Sequence, residues 1–369
     1  MRVGVDDTLK VALVGASASG RGWGPAAHIP AIGAVERLEL AALCTSSAAS
    51  AAAASEVHGI PRAYHDVRDL AAQPDIDVVA VAVRVPQHHA IVMPLLDAGK
   101  HVYCEWPLGA TTQQAQDMAS AARANGVVTV VGLQGRHDPA LTHARRLVDD
   151  GWLGEVVSVS VSITGGGALA HRAAEAWMAD STTGANTLTI VAGHTLDYVE
   201  YIVGDLTEIS ATVRVQVPQW RLVDTGATVE ADAPDHILVH GTLGGGGLLS
   251  YQASSLPYHG AGWRMEAHGT EGTLVASSAA LPQITPVVLT GARRNDPLAP
   301  LEVAQRHPAG VSVPAGPGHN IARSYARMAE AIADGTPARP DFDHAVRVHR
   351  LLDRVRQSSD ERRAMGVSL

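Results

Sequence analysis

A buried-strand pattern at Val11–Val14 runs straight into the glycine turn Gly15–Gly20, and no other stretch of this 369-residue chain narrows the possible folds so far. A glycine turn that ends a strand and opens a helix is the phosphate-binding corner of a doubly wound sheet. The first glycine permits the tight turn, the third lets helix pack closely on strand, and N–H groups at the helix start face a pyrophosphate. Gly15 and Gly20 occupy the first and third positions, with Ser17 at the second. The same rhythm continues downstream. Short β-rich runs at Leu38–Cys44, Asp77–Val83, His101–Glu105 and Val127–Val131 alternate with helical segments at Ala48–Val57, His88–Ala98 and Thr111–Asn125. Gly59, Gly99 and Gly126 stop those helices. The pattern predicts an α/β fold whose N-terminal Rossmann domain, residues 1–136, is a doubly wound parallel sheet.

After a helix at Pro139–Asp150 the pattern changes. Runs at Glu155–Ile163, Ile209–Val217, His236–Leu243, Gly247–Ser254 and Trp263–Ala276 read as strands, several joined by loops too short for a crossover helix. Helices at Ile321–Asp334 and Phe342–Gln357 close the chain, after a Pro- and Gly-rich loop at Gly291–Gly318. Residues 137–369 should therefore form a C-terminal α+β domain with a large, mostly antiparallel sheet. A sheet face left uncovered by helices needs a partner, so a homodimer or homotetramer built on this sheet is expected.

Charge and cysteine usage exclude several classes. The net charge of −9 argues against a nucleic-acid partner. Cys44 and Cys104 form no disulfide or metal pattern, and the 18 histidines are scattered without zinc-site spacing, so no metal is expected. Met1–Lys10 lacks an apolar stretch of signal-peptide length, and the longest strand-type apolar run, Val78–Val83, is far short of a membrane span. The expectation is a cytoplasmic protein with no membrane association.

The second strand ends at Thr45, Ser46 and Ser47, where an NAD site usually carries an acidic residue for the ribose hydroxyls. Without that charge a 2′-phosphate is not repelled, and three hydroxyls can donate to it. The pattern leans toward NADP, with NAD also admissible; the plainer reading is that one serine caps the next helix. Arg84, His88, Gln134 and Arg136 fall at carboxyl ends of predicted strands, where open α/β sheets bind ligands. Trp23 and Trp106 could stack on a nicotinamide or sugar ring, or pack in the core.

Pro86–His88, Ala98–Val102, Glu105–Pro107, Gly151–Gly154 and Gly193–Asp197, with Asn320–His349, make the chain resemble the glucose–fructose oxidoreductase/inositol dehydrogenase family. Gly22–Trp23, Glu105–Leu108 and Gly132–Arg136 look most like the branch containing the yeast galactose-regulon repressor. The resemblance implies an NAD(P)-dependent oxidoreductase passing hydride between nicotinamide and a sugar, cyclitol or related polyol. It places Pro86, Glu105 and Trp106 beside the cofactor, Trp106, Arg136 and His194 beside the substrate, and His194 as the acid/base. Asp197, three residues on, could orient that imidazole or face solvent; His194 itself could be a satisfied core residue. Family enzymes carry a Lys where this chain has Trp106 and an Asp where it has Ile190, and neither replacement can move a proton. The alternative implied by the branch is a non-catalytic dinucleotide-binding sensor.

Overall fold

The computed structural model describes residues 8–20, 22–304, 310–314 and 316–367. Most of the N-terminal stretch read for a signal peptide, and part of the Gly291–Gly318 loop, thus lie outside the described residues. By contact density the chain forms two compact units, Met1–Gln134 with Arg306–Val346, and Gly135–Gln305 with Arg347–Leu369. The sequence reading placed a single boundary at 136/137. The segment that returns to the first unit is anchored by a helix whose apolar face belongs to the first core.

In the first unit, strands β1 (Leu9–Val14), β2 (Leu38–Cys44), β3 (Ala63–Tyr64), β4 (Val78–Val81), β5 (His101–Cys104) and β6 (Thr129–Val131) form one parallel sheet in the order β3-β2-β1-β4-β5-β6. This is the Rossmann order, and the order reverses between β1 and β4, so ligands are expected at the carboxyl ends there. A π-helical turn, Gly24–His28, leads into α1 (Ile29–Gly33). Next come α2 (Ala48–His58), α3 (Val67–Ala71), α4 (His88–Asp97) and α5 (Thr112–Asn125). α2 begins at Ser47, whose hydroxyl accepts from Ser50 N–H while Ser50 caps back, and ends at Gly59 in the left-handed region. Leu9, Val11 and Leu13 of β1 pack with Ala31 and Ile32 of α1. Ile321, Tyr325 and Met328, from α8 (His319–Asp334), pack into the same cluster. With one Phe in the whole chain, the core is built from branched aliphatics and alanine.

The second unit contains α6 (Pro139–Asp149), α7 (Gly193–Val203) and most of α9 (Phe342–Glu361). Its strands are β7 (Val156–Gly165), β8 (Ala170–His171), β9 (Leu206–Arg214), β10 (Gln219–Leu222), β11 (Thr228–Glu230), β12 (His236–Leu243) and β13 (Leu248–Ser255). They continue with β14 (Gly262–Gly269), β15 (Gly272–Ser278), β16 (Val288–Arg293), β17 (Ala299–Pro300) and β18 (Met365–Gly366). Nine of these form a sheet in the order β17-β16-β15-β14-β7-β13-β12-β9-β18, antiparallel except where β7 pairs with β13. β8, β10 and β11 form a small separate sheet. The unbroken run Trp263–Ala276 is in fact a hairpin, β14 and β15, because the chain reverses at Thr270 and Glu271. Gly269 makes that reversal fit: a β-carbon there would lie 2.2 Å from Leu153 O. Along β7, Val159, Val161 and Ile163 are buried while Ser158 and Ser160 face outward. Val157, Leu238, Leu248 and Val288 stand exposed on strands of the same sheet.

Among the described residues no helix is long and apolar enough to cross a membrane. Both cysteines are free and buried. Among the described residues no cluster of three or more His, Cys, Asp or Glu is arranged to hold a metal ion.

Several histidines are buried, and burial penalises the charged imidazole. His349 is pushed down to about 4, and His88 and His101 shift in the same direction for the same reason. A pKa depressed in the folded state contributes stability that is full above the unfolded value near 6.5 and is lost as pH falls toward 4. Unfolding experiments should show stability dropping across that window, with His349 alone worth about 1.4 kcal/mol per pH unit at full development. A slope unchanged in His349→Gln would reject the assignment.

Candidate functional site

Each unit contributes its own cluster of candidate residues. In the first unit the turn after β1 is fixed by glycine. Gly15 has φ +107°, and a β-carbon there would lie 2.3 Å from Ala82 O, in the turn after the neighbouring strand β4. The role expected of Gly20 belongs to another residue. A β-carbon on Gly20 meets nothing within 4 Å, whereas one on Gly24 would lie 2.6 Å from Gly15 O. The close approach of helix to strand is therefore made at Gly24, since the helix starts later than the fingerprint spacing implies. Ser17 is exposed and shares a 2.8 Å hydrogen bond with the Ser19 hydroxyl. Trp23 packs partly buried against the first core, and its Nε1 is buried with no hydrogen-bond partner among the described residues.

The hydroxyls after β2 are largely used locally. Thr45 Oγ1 lies 2.7 Å from Ser50 Oγ and donates to Ser47 O, while Ser47 caps α2; Ser46 is exposed. The capping reading of the serine run thus holds for Ser47. Arg84 and Pro86 are exposed in the turn that follows β4. His88 is fully buried with both ring nitrogens facing backbone carbonyls, Nε2 at 3.0 Å from Val83 O and Nδ1 at 3.0 Å from Pro107 O. Its side chain ties the turn after β4 to the turn after β5, and is not presented as a cofactor ligand. Trp106 is buried and precedes a cis peptide bond to Pro107. Gln134 is buried, and its Oε1 has no hydrogen-bond partner.

Glu105, at the end of β5, sits in a chain that sequence reasoning missed. Its Oε1 lies 2.9 Å from His28 Nε2, and His28 Nδ1 lies 2.7 Å from the Tyr325 hydroxyl. Burial pushes the Tyr325 phenol well above its ordinary pKa, so it stays protonated and can donate to Nδ1. Facing a carboxylate, His28 Nε2 carries a proton and donates to Glu105. Gly132 makes room for Glu105, because a β-carbon there would fall 2.7 Å from Oε2. The sequence signal for His28 was only its place one turn into the helix after the glycine turn. Its partner Tyr325 is 297 residues away.

In the second unit, Asp197 does not turn toward solvent. It is buried and paired with Arg136, whose Nε donates to Oδ2 at 2.8 Å and whose Nη2 lies 2.7 Å from Oδ1. This two-point pair also packs against the Tyr201 ring, 5.1 Å from the guanidinium carbon. Asp197 is thus the counter-charge of Arg136, which explains its burial. His194 is buried in the first turn of α7, immediately after a π-helical segment, Thr187–Ala192, that contains Ile190. Such π segments recur at functional sites because they displace side chains from regular helical positions. Another, Gly24–His28, carries the missed histidine of the first unit.

Comparisons with known proteins divide at the same point as the pattern change. Residues 9–133 match the oxidoreductase family with an NAD-binding Rossmann fold, and residues 139–278 match the Gal80p C-terminal domain. A dehydrogenase of Aspergillus oryzae, aclE, is 34% identical over 215 residues, 57% of this chain. That match spans only 59% of the Aspergillus protein's length. The galactose/lactose metabolism regulatory protein GAL80 of Saccharomyces cerevisiae is 28% identical over 79% of this chain and 72% of its own length. A levoglucosan dehydrogenase structure, in complex with NADH and levoglucosan, shares the fold with a TM-score of 0.84. It covers 98% of this chain and 100% of its own, at 21% identity.

Proposed function

The chain belongs to the NAD-binding oxidoreductase family in the form that carries a Gal80p-type C-terminal domain, and from that premise we propose that it is an NAD(P)-dependent dehydrogenase acting on a CH–OH group of a sugar, cyclitol or related polyol. The observation that carries this reading is the Glu105–His28–Tyr325 chain at the end of β5, buried at His28 and Tyr325 and partly buried at Glu105. Its members are hydrogen-bonded to one another, so their burial is tolerated, and a polar chain at the carboxyl end of a strand in an open α/β sheet is a functional-site candidate. The fold similarity adds that a levoglucosan dehydrogenase holds NADH and its sugar on this architecture.

The residues fit a dinucleotide. Gly15 and Gly24 let the turn after β1 pack tightly between the turn after β4 and the helix start, which is the compact corner a pyrophosphate needs. When bound, the nicotinamide supplies or accepts the hydride. Glu105, held by His28, fixes the polar environment of that site. His194 takes the hydroxyl proton as the carbinol carbon loses its hydride, leaving a carbonyl, and returns the proton in the reverse direction. Arg136, with its charge balanced by Asp197, remains a candidate for orienting substrate oxygens.

With no acidic residue at Thr45 and Ser46 exposed, NADP(H) should bind at least as tightly as NAD(H). Titration calorimetry with both cofactors measures this, and a clear preference for NAD(H) rejects it. The chain is further proposed to assemble as a homodimer or homotetramer through the outer face of the large sheet, where Leu238 and Leu248 are exposed. A monomer by light scattering at micromolar concentration rejects that.

The second reading, a dinucleotide-binding regulator, draws on Trp106 and Ile190, which replace the family's proton-handling positions, and on the GAL80 similarity. A turnover screen with both cofactors against sugars, cyclitols and their keto forms separates the two. Tight dinucleotide binding without turnover of any compound would establish the regulator.

A further inference from the structure

The outer face of the nine-stranded sheet is unusual in what its side chains lack. Across the adjoining strands β7, β13 and β12 the outward positions hold serines, threonines, Gln252, Leu238, Leu248 and the histidines His236 and His240. None of these described residues is Asp, Glu, Lys or Arg. The strands on either side carry charge in balance. β9 presents Glu208 and Arg214, and β14 presents Glu266 and Arg264, which pair with each other at 2.6 Å.

Two arguments make a second copy of this chain the occupant of that face. The first is charge. Copies of a chain with net charge −9 repel one another on average, so a site of self-association needs a face whose own charge sums to zero, as this one does. The second is area. The five strands from β9 to β14 are eight to ten residues long. At about 3.3 Å per residue and about 4.8 Å between strands they present roughly 600 Å² in plan, before side-chain relief is counted. A standard interface takes about 800 Å² of accessible surface from each partner. Most of the outward side chains are small, so two such faces can approach closely.

We infer that this self-association is governed by pH through His240: the second copy covers a neutral imidazole, and protonation separates the copies. The inference rests on the assembly reading above and adds the residue that controls it. His240 is exposed in the single chain. Ser250 on β13 and Ser210 on β9 stand directly opposite it. Diagonal to it are Leu248 and Gln252 on β13, and Thr212 and Glu208 on β9. The other histidines of the face have acid partners. His236 Nδ1 lies 2.9 Å from Asp235 Oδ1, and His268 Nε2 on β14 lies 3.6 Å from Glu266 Oε2. Among the described residues no carboxylate stands beside His240, and Glu208 remains a diagonal position, about 7–8 Å, away. Covering His240 strips water from its ring and penalises the charged form, so association takes the neutral imidazole and acid favours the separate chains. Each copy binds one proton on separating. For an imidazole titrating near pH 6.5, a fall from pH 7.5 to 5.5 shifts the balance about tenfold per copy, and about 100-fold for a dimer.

Sedimentation equilibrium on the full chain at pH 7.5, 6.5 and 5.5, at constant ionic strength, measures the dissociation constant, with far-UV circular dichroism recorded on the same samples. In the wild type the constant should rise about 100-fold from pH 7.5 to 5.5 while the circular dichroism stays unchanged. His240→Gln should hold it within about threefold over the same range. Glu208→Gln and His236→Gln should keep the wild-type pH dependence. Leu238→Arg, which sets a charge in the patch, should abolish association at every pH. A constant that does not move with pH, or that moves equally in His240→Gln, overturns the inference and leaves the assembly reading in place. So does a pH dependence lost in Glu208→Gln, or loss of the circular dichroism signal before the copies part. Association that survives Leu238→Arg places the contact elsewhere and also overturns it. A wild type that is monomeric at micromolar concentration at pH 7.5 removes both the inference and the assembly reading.

Discussion

Replacing His194 with alanine is expected to cut turnover by about 10²–10⁴-fold, the usual worth of a positioned acid/base, with dinucleotide affinity unchanged. The expectation follows from what surrounds the other titratable groups. Tyr198, on the same helix, is held well above its ordinary pKa by burial and cannot act as a base near neutrality. Asp197 is committed to Arg136, and Trp106 and Ile190 carry no transferable proton. His194 is left as the group of the family pattern able to exchange one. Steady-state kinetics on the best compound of the screen, with cofactor affinity measured independently, makes the comparison. Turnover that survives His194→Ala keeps the enzyme but discards this mechanism. Trp106→Lys, made alone, should not raise activity, because Ile190 still leaves the family's charged pair incomplete.

Gly15→Ala is expected to be the most damaging small substitution in the first unit. The residue has φ +107°, which an L side chain rarely adopts, and its new β-carbon would meet Ala82 O at 2.3 Å and Val83 Cγ1 at 3.0 Å. Relief requires separating the turns after β1 and β4, which are paired strands deep in the sheet. A cost on the order of 3 kcal/mol or more is expected from combined backbone strain and overlap. Dinucleotide binding should fall with it. Gly20→Ala supplies the control. It also needs a left-handed backbone, φ +65°, but meets open space, so its cost should stay at about 1–2 kcal/mol. Gly24→Ala should behave like Gly15→Ala, because its β-carbon would meet Gly15 O at 2.6 Å. Denaturant unfolding of the three variants ranks them, and equal losses for Gly15→Ala and Gly20→Ala would contradict the packing account.

What the sequence made legible was local. Leu38–Cys44 was bounded correctly because an apolar run broken only by Glu39, followed by the polar turn at Thr45–Ser47, specifies a parallel strand. Helices beginning at residues 48, 112 and 139 were placed within a residue of their starts, and the structure caps them with Ser47, Thr111 and Asp138. What escaped was set by contacts distant in the chain. Asp197 meets Arg136 across 61 residues, and His28 meets Tyr325 across 297; neither spacing leaves a periodic trace. The close-approach glycine was assigned to Gly20 because the fingerprint assumes a fixed turn length, and here the helix begins only at Gly24. The hairpin at Thr270 was hidden because both of its strands are β-rich and its two-residue turn lacks the usual Asn-Gly signal.

The return of α8 to the first unit bears on how this protein is made. Ribosomes release the six parallel strands early, but Ile321, Tyr325 and Met328, which complete their core against Ala31 and Ile32, emerge about two hundred residues after β6. Until then that apolar surface has no cover, and His28 lacks its Tyr325 partner. The nucleotide-binding unit is therefore finished among the last parts of the chain. A fragment cut at residue 134 would carry every strand of the Rossmann sheet and still be an aggregation-prone intermediate.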